Sequence, residues 1–203
     1  MNMADVTERW PVVSSAELLR SRLIAVRTDK VRMPDNTLAE REVVLHPGAV
    51  AVLALDDTDR ILLIRQYRHP VGRLLWEIPA GLRDVAGEDP FLTAQRELME
   101  EAGYRAREWH VLADYFPSPG YSTERIRLYL ARDLEPVPEA ERDFVPEHEE
   151  AFLLTGWLPL EVAVGKVFAG ELHNGVTALG ILAGYAARSD GFARLRPADS
   201  PQS

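Results

Sequence analysis

The apolar positions along this chain follow two spacings, one typical of strands and one typical of helices. Short apolar stretches alternate with clusters of Pro, Gly, Asp and Asn, which mark turns between strands. The predicted strands are SRLIAVRTDKVRM, LAEREVVL, AVAVLALD, RILLIRQYR, LLWEIP, HVLADYF, RIRLYLARDL and AFLLTGWLP. The predicted helices are DPFLTAQRELMEEAG, LEVAVGKVFAGEL and GVTALGILAGYAARS. This order of elements predicts an α+β fold, a mixed and mostly antiparallel sheet with helices packed against it.

Turn-forming residues divide the first strands into two predicted hairpins. PDNT joins the first pair, and DTD joins the second pair, whose residues are apolar enough to be buried on both faces. We expect residues 1–45 to be an extension that carries the first hairpin and serves dimerisation, and residues 46–190 to be the main domain. The polar, proline-containing tail, residues 191–203, is expected to be disordered.

Composition and charge exclude several classes of protein. With 46% hydrophobic residues among 203, the chain can bury a sizeable core. It has no cysteine, which excludes a disulfide framework, a thiolate zinc site and a cysteine nucleophile. The net charge of −9 argues against a nucleic-acid partner, and an anionic small molecule would need local arginines or metal ions. Because no signal-peptide pattern or membrane-spanning apolar run is present, we expect no membrane association and a cytoplasmic location.

The segment GEDPFLTAQRELMEEAGY places acidic side chains on one side of a predicted helix. On a wheel of about 100° per residue, Glu97, Glu100 and Glu101 share a face. A neighbouring face suited to packing on the sheet carries Phe91, Ala94, Leu98 and Ala102. Residues typical of helix ends flank the segment, namely Asp89, Pro90 and Gly103.

The clustered glutamates need an explanation, because like charges three and four residues apart cost a helix roughly 0.2–0.5 kcal/mol per pair. One interpretation is an ordinary solvated acidic face. Two features favour a bound divalent cation instead. The glutamates have few cationic side chains on their own face, Arg96 being the nearest. In addition, Gly81 in WEIPAGL lets a backbone approach the helix closely. Carboxylate oxygens together with a backbone carbonyl are the ligands that Mg²⁺ prefers.

These residues resemble the Nudix box, which is a glycine and a glutamate followed by REUxEExGU, where U is apolar. Gly81, Glu88 and RELMEEAGY, residues 96–104, match it. Six residues separate Gly81 from Glu88 where the usual pattern has five, so an extra residue lies in the loop LRDVAG and the role of Glu88 is in question. The resemblance implies the Nudix α/β/α sandwich and Mg²⁺-dependent hydrolysis of a nucleoside diphosphate linked to another moiety, with Mn²⁺ as an alternative ion.

The resemblance also implies which residues hold the metal. The ligands carried over are Glu97, Glu101 and the carbonyl of Ala80, with Glu100 as an additional ligand. Arg96 is expected to orient the glutamates through charge-assisted hydrogen bonds.

Three further stretches resemble the ADP-ribose pyrophosphatase branch of the family. They are RQYRHPVGRLLWEIPAG, SPGYSTER and PEHEEAF. In the second stretch, Pro119 follows Gly103 by sixteen residues, a spacing associated with ADP-ribose preference. The resemblance implies cleavage of ADP-ribose into AMP and ribose 5-phosphate by a homodimer whose subunits exchange the N-terminal hairpin.

Hydrolysis also requires a carboxylate that accepts a proton from the attacking water. The acidic loop PEHEEAF supplies the candidates: Glu149 is preferred, Glu150 is next, and Glu147 is a further candidate. His148 is treated as a bystander, and a solvated loop is the alternative interpretation of the whole run.

Four residues are candidates for contact with the substrate. Arg65 and Arg68 cannot both face the same side of a regular strand, and Arg68 is favoured to pair with the diphosphate. Trp76 is suited either to stacking on adenine or to the core, and Glu77 to bonding a sugar hydroxyl or the adenine amine. Strand alternation points these two side chains in opposite directions. Glu124 resembles a position near the metal and ribose, with an ordinary surface glutamate as the alternative.

Two other functions remain open at this stage. One is hydrolysis of another nucleotide sugar, such as ADP-glucose or GDP-mannose. The other is a non-catalytic Nudix module that senses nucleotides, although such modules often lose box glutamates that are present here.

Overall fold

An antiparallel sheet built from the N-terminal residues forms most of the first of two units into which the described chain divides. The computed structural model describes residues 3–85, 87–142 and 153–202. The first unit comprises the residues up to Pro47 together with Ser118–Glu124. Across its sheet the strands lie in the order β1 (Val12–Arg20), β2 (Ala25–Arg32) and β3 (Leu38–Leu45).

The turn between β2 and β3 follows from the residues PDNT. Asp35 Oδ1 accepts a hydrogen bond from the Thr37 amide at 3.0 Å, and Asn36 adopts a φ of 67°, which asparagine tolerates better than most residues. The first predicted hairpin is therefore confirmed. The sequence did not predict β1, whose residues VVSSAELLR are all exposed and pair with β2 through the backbone.

The second unit comprises Gly48–Pro117 and Arg125–Ser203, and its described residues form a sheet of five strands and a sheet of three. The larger sheet has the spatial order β11 (Arg196–Pro197), β8 (Tyr104–Tyr115), β9 (Ile126–Pro136), β4 (Ala49–Ala54) and β7 (Ala80–Leu82). The smaller sheet has the order β10 (Leu154–Pro159), β5 (Arg60–Arg68) and β6 (Arg73–Glu77). The helices are α1 (Pro90–Ala102), α2 (Leu160–Phe168) and α3 (Gly175–Arg188).

Helices cover both faces of these sheets. Alternate residues of β4 enter different core clusters, with Leu53 in one and Val52 in the other. Ile181 of α3 and Leu160 of α2 pack in the first cluster, and Leu98 of α1 packs in the second. Because successive strand residues point to opposite faces, α1 lies on one side of the sheets and α2 and α3 on the other. This is the expected α+β fold and α/β/α sandwich.

The second predicted hairpin was wrong in its pairing. β4 lies between β9 and β7, parallel to the first and antiparallel to the second, whereas β5 lies between β10 and β6. The two strands meet at a bridge between Leu55 and Ile61 beside their connecting turn. Both strands are apolar on both faces, as predicted, and such strands do not reveal from their sequence which neighbours they pair with.

The polar tail also differs from the expected disorder. β11 pairs with β8, and the buried guanidinium of Arg127 donates to the carbonyls of Ser200 and Pro201 at 2.6 and 3.1 Å. Backbone carbonyls that satisfy a buried arginine give this segment an ordered position. No helix among the described residues is long and apolar enough to cross a membrane.

Candidate active site

Helix α1 begins and ends as its sequence predicts. The side chain of Asp89 accepts from the Phe91 amide at 2.7 Å, Pro90 occupies the first turn, and Gly103 ends the helix with a φ of 72°. The apolar face that includes Leu98 packs into the core. The glutamates of the neighbouring face are therefore held at fixed positions beside the sheet.

Glu97 lies directly against β7. A Cβ atom added at Gly81 would overlap the Glu97 carboxylate, so the glycine is required for this approach. Only 9% of Glu97 is exposed. Burial, reinforced by the charges of Glu100 and Asp84, outweighs the opposing Arg96 and raises the pKa of Glu97 to about 7.

Arg96 links three of the acidic side chains. Its Nη1 lies 2.8 Å from Glu97 Oε1 and 3.0 Å from Glu100 Oε2, and its Nη2 lies 3.3 Å from Glu88 Oε2. Burial opposes the charge of the guanidinium, but the surrounding carboxylates outweigh it and raise the pKa of Arg96. The arginine therefore acts as the internal counter-ion of the acidic face.

Glu101 makes the second link between α1 and β7. The amide of Ala80 donates to Glu101 Oε2 at 2.8 Å. Glu97 and Glu101 are one helical turn apart, so the two contacts set the helix at two points along the short strand. Two predicted metal ligands, Glu97 and Glu101, thus contact the backbone of Gly81 and Ala80.

The donor atoms of this site suit a hard divalent cation. The buried Glu97 and the nearby Glu100 supply carboxylate oxygens, which are the ligands that such a cation prefers. Within the described residues, no three acidic or histidine side chains converge closely enough to hold a metal ion. Arg96 lies between Glu97 and Glu100, and Glu101 is bonded to Ala80. The carboxylate groups of these residues fit a cation. A bound cation would compete with Arg96 and the Ala80 amide for the carboxylate oxygens.

The residues of β5 and β6 divide between the two faces of their sheet. Arg68 Nε and Nη2 donate to the carboxylate of Glu77 at 3.0 and 2.6 Å, and Glu77 is only 1% exposed. Trp76 points to the other face, as alternation predicts, where the guanidinium of Arg65 lies 5.6 Å from its ring centroid. Trp76 also lines an apolar cavity of about 370 Å³. Arg68 and Glu77 thus form a pair, and Trp76 is separate from them.

Other predicted residues lie outside this group. Glu124 belongs to the first unit, where its Oε1 lies 3.9 Å from His46 Nε2. The candidate bases Glu149 and Glu150, together with Glu147 and His148, lie outside the described residues. Their roles stay predictions.

Sequence reasoning missed one residue of this network, Thr93. Its hydroxyl donates to Glu88 Oε2 at 2.8 Å, and with Arg96 it lowers the pKa of Glu88. Thr93 is fully buried, and its position one helical turn before Glu97, on the side of α1 that carries the glutamates, was the signal that could have indicated it. Glu88 is therefore a fixed partner of the box arginine despite the extra residue in its loop.

Comparison with known proteins agrees with this geometry. A model of the NUDIX domain matches residues 45–176, and a model of the nucleoside diphosphate sugar hydrolase N-terminal domain matches residues 10–44. An ADP-ribose pyrophosphatase of Mycobacterium tuberculosis is 48% identical over 193 residues, which cover 94% of this chain and 90% of that protein. An ADP-ribose pyrophosphatase of Bacillus subtilis is 35% identical over 169 residues, which cover 83% of this chain and 89% of that protein.

A solved structure supports the fold. The crystal structure of an ADP compounds hydrolase matches with a TM-score of 0.75 at 21% identity and covers 93% of this chain and 99% of that one. Members of the Nudix family generally use divalent metal cations, which suits the donor set on α1. The matched domain, the complete REUxEExGU segment and the sandwich fold that presents this segment lead to one conclusion. This chain belongs to the Nudix hydrolase family.

Proposed function

We propose that this chain hydrolyses the diphosphate bond of ADP-ribose, giving AMP and ribose 5-phosphate, with Mg²⁺ as the working cation and Mn²⁺ as an alternative. The observation that carries this proposal is the similarity over 94% of the chain to a protein named ADP-ribose pyrophosphatase. The glutamates and the counter-ion Arg96 on α1 supply the chemistry that such a reaction needs.

The residues on α1 and β7 would hold the cation. Glu97, Glu101 and the carbonyl of Ala80 are the proposed ligands, and Glu100 is a further one. When bound, a divalent cation neutralises diphosphate charge and makes water a better nucleophile. Arg96 holds Glu97 and Glu100 in place beforehand, so less side-chain freedom is lost on binding.

The reaction adds one water molecule across the diphosphate. The water oxygen bonds to one phosphorus, the bridging P–O bond breaks, and the bridging oxygen leaves with the other phosphate. A carboxylate must accept the proton that the water loses. Glu149 is the proposed acceptor, with Glu150 as the alternative.

Arg68, Glu77, Trp76 and Glu124 are proposed substrate contacts of different kinds. Because two donors of Arg68 bond the carboxylate of the buried Glu77, we propose that the two residues act as one unit in contact with an anionic ligand. Trp76 lies on the opposite face of the sheet, so it serves a different part of the ligand or the core. Glu124 is proposed to act near the metal and ribose.

A homodimer is proposed as the working assembly, with the first unit as its interface. β1 exposes large apolar side chains, including Leu18 at 62% and Leu19 at 54%. Exposed apolar patches of this kind mark surfaces that other chains cover. A cytoplasmic location, and the absence of nucleic-acid partners, stay predictions from the sequence.

A substrate panel tests the reaction. Purified protein in Mg²⁺ is given ADP-ribose, ADP-glucose, GDP-mannose, NADH or a dinucleoside polyphosphate, and the products are identified. We expect the highest kcat/KM for ADP-ribose, with AMP and ribose 5-phosphate as products. A preference for another nucleotide sugar would transfer the assignment to that substrate, and no turnover of any compound would favour a non-catalytic module.

Glu101→Gln tests the metal assignment within the same panel. We expect kcat to fall by roughly a hundredfold or more, since losing even a residue that only orients a metal ligand costs about 10–100-fold. Circular dichroism should show an unchanged fold. Glu135→Gln, a change of the same type at an exposed side chain paired with Arg107, is the matched control and should keep the rate.

A further inference from the structure

Residues 196–202, here called the strap, run from β8 past Arg127 of β9 to the residue after β7. β11 starts the strap by pairing Arg196 and Pro197 with Val111 and His110 of β8. The strap then continues to Gln202, whose side-chain oxygen accepts from Arg83 Nη1 at 3.1 Å. The strap therefore connects an outer strand of the sheet to the residue that directly follows β7.

A buried ion pair anchors the strap. Arg127, only 3% exposed, donates to both oxygens of Asp114 at 2.8 and 2.9 Å and also to the carbonyls of Ser200 and Pro201. Arg196 adds a second donor to Asp114 at 2.9 Å. A buried guanidinium that depends on strap carbonyls for its remaining donors ties the strap to the sheet far more firmly than surface contacts would.

The strap reaches the connection between β7 and α1. Arg83 stands two residues after Gly81, against which Glu97 lies, and its amide donates to the Gly48 carbonyl at 3.1 Å. Gln202 holds the side chain of the same arginine. Across a cleft of about 220 Å³ the strap also faces Asp89, which caps α1, and Pro90, the first residue of that helix. The strap therefore contacts the start of the loop between β7 and α1 and faces the end of that loop across the cleft.

We propose that the strap is a positioning element of the catalytic site: through the contact between Gln202 and Arg83 it fixes the β7–α1 connection and so the placement of the box glutamates against Ala80 and Gly81. The inference rests on the proposed function for its kinetic effect, whereas the structural effect is independent of the substrate. Gln202 and Arg83 bond each other and are not among the proposed metal ligands or bases, so we assign them an effect through the glutamates, as positioning residues.

Substitutions at the Gln202–Arg83 contact test the proposal in the full chain. Gln202→Ala and Arg83→Ala should each lower kcat for ADP-ribose by about tenfold with KM changed less than about twofold, because misplacement of catalytic groups by a fraction of an ångström costs rate rather than binding. The double variant should be no slower than the slower single variant, since both remove one shared interaction. Arg83→Lys retains a donor and should recover most of the rate.

Hydrogen exchange supplies a readout that needs no substrate. Amides of residues 83–85 and 87–89, and those of α1 after Pro90, should exchange faster in Gln202→Ala than in the unaltered protein. Arg194→Ala, at an exposed residue just before the strap that pairs with Asp190, is the matched control and should change neither the exchange nor the rate.

The outcomes separate the two proposals. If the unaltered chain does not hydrolyse ADP-ribose, the proposed function fails, and the exchange pattern alone decides the role of the strap. Unchanged exchange at the β7–α1 connection in Gln202→Ala would overturn the positioning role. So would faster exchange spread evenly over the whole chain, because that result indicates a general loss of stability.

Discussion

At Gly81 the absence of a side chain lets the carboxylate of Glu97 lie against β7. The other link in this region, from the Ala80 amide to Glu101, would hold α1 in place even if Glu97 were displaced. A methyl group at position 81 should therefore move Glu97, one of the proposed metal ligands, and leave the helix where it is.

We expect Gly81→Ala to lower kcat by about a hundredfold, a size typical of a misplaced catalytic group. The free energy of unfolding should fall by about 1–3 kcal/mol, the usual cost of overpacking. Steady-state kinetics and urea unfolding measure the two effects. Gly165→Ala in α2 is the matched control, because a Cβ there meets no neighbouring atom within 4 Å among the residues that the structure describes. This variant should gain up to about 1 kcal/mol in stability with no change in rate. An unaltered kcat in Gly81→Ala would contradict the role assigned to Glu97.

Single residues also show how far sequence reasoning extends. Helical geometry placed Glu97, Glu100 and Glu101 on one face, because the spacing within a helix is known in advance. The pairing of Arg68 with Glu77 joins residues of two strands, and their register is set by the whole sheet. The sequence identifies both residues as candidates, but only the folded structure shows that they contact each other.

At the scale of elements, the strands β8 and β9 are joined by more than their backbone ladder. Asp114 and Arg127 lie opposite each other in the register, and their side chains form the buried pair that also holds the strap. Burial alone would raise the pKa of Asp114, but the hydrogen bonds from Arg127 and Arg196 outweigh it and lower that pKa. The pair therefore links the stability of this part of the sheet to pH.

The direction of this pH dependence follows from linkage. A carboxyl group whose pKa is lower in the folded state stabilises the protein fully above its unfolded value of about 3.9, and that stabilisation is lost as the pH falls through the folded value. At pH 7 we expect Asp114→Asn to lower the free energy of unfolding by about 3–5 kcal/mol, because Arg127 is left buried and unpaired. The difference from the unaltered protein should shrink below about pH 4.

Urea unfolding between pH 3 and pH 8 measures this difference. Asp133→Asn is the matched control, since Asp133 is exposed and its contact with Arg107 spans 3.9 Å. Its stability should follow that of the unaltered protein at every pH. A constant difference between Asp114→Asn and the unaltered protein across the range would show that the charge of Asp114 is not what stabilises the pair.

Element by element, the sequence predicted most helices and strands but not all of their partners. Strands bounded by turn residues and helices with clear caps were found, because those signals are local. β1 was missed because VVSSAELLR does not alternate and gains its pairing from β2. β4 and β5 were assigned to one hairpin because strands that are apolar on both faces do not reveal their neighbours. The two-residue β11 depends on pairing with β8 and on the bond from Arg196 to Asp114, both distant in the sequence.

At the scale of the whole molecule, the first unit exposes several large apolar side chains. Among its exposed residues are Val12, Val13, Leu18 and Leu19, all on β1. A stable interface between chains typically buries about 1,200–2,000 Å² in total, and an exposed strand of nine residues can supply part of that area on each partner. This surface is the physical basis of the proposed homodimer.

Charge placed on β1 tests the homodimer without removing any element. Leu18 and Leu19 are exposed within the chain, so changing both to Glu should cost an isolated subunit little, whereas it would bury two charges in each half of an interface. We expect light scattering after size exclusion to give twice 22.8 kDa for the unaltered protein and a single chain mass for the double variant. Ser14→Glu adds charge at a polar position of the same strand and should stay dimeric if the apolar side chains form the interface.

A chain without residues 1–45 should also be monomeric. A single chain mass for the unaltered protein would refute the dimer, and a dimeric double variant would move the interface away from β1.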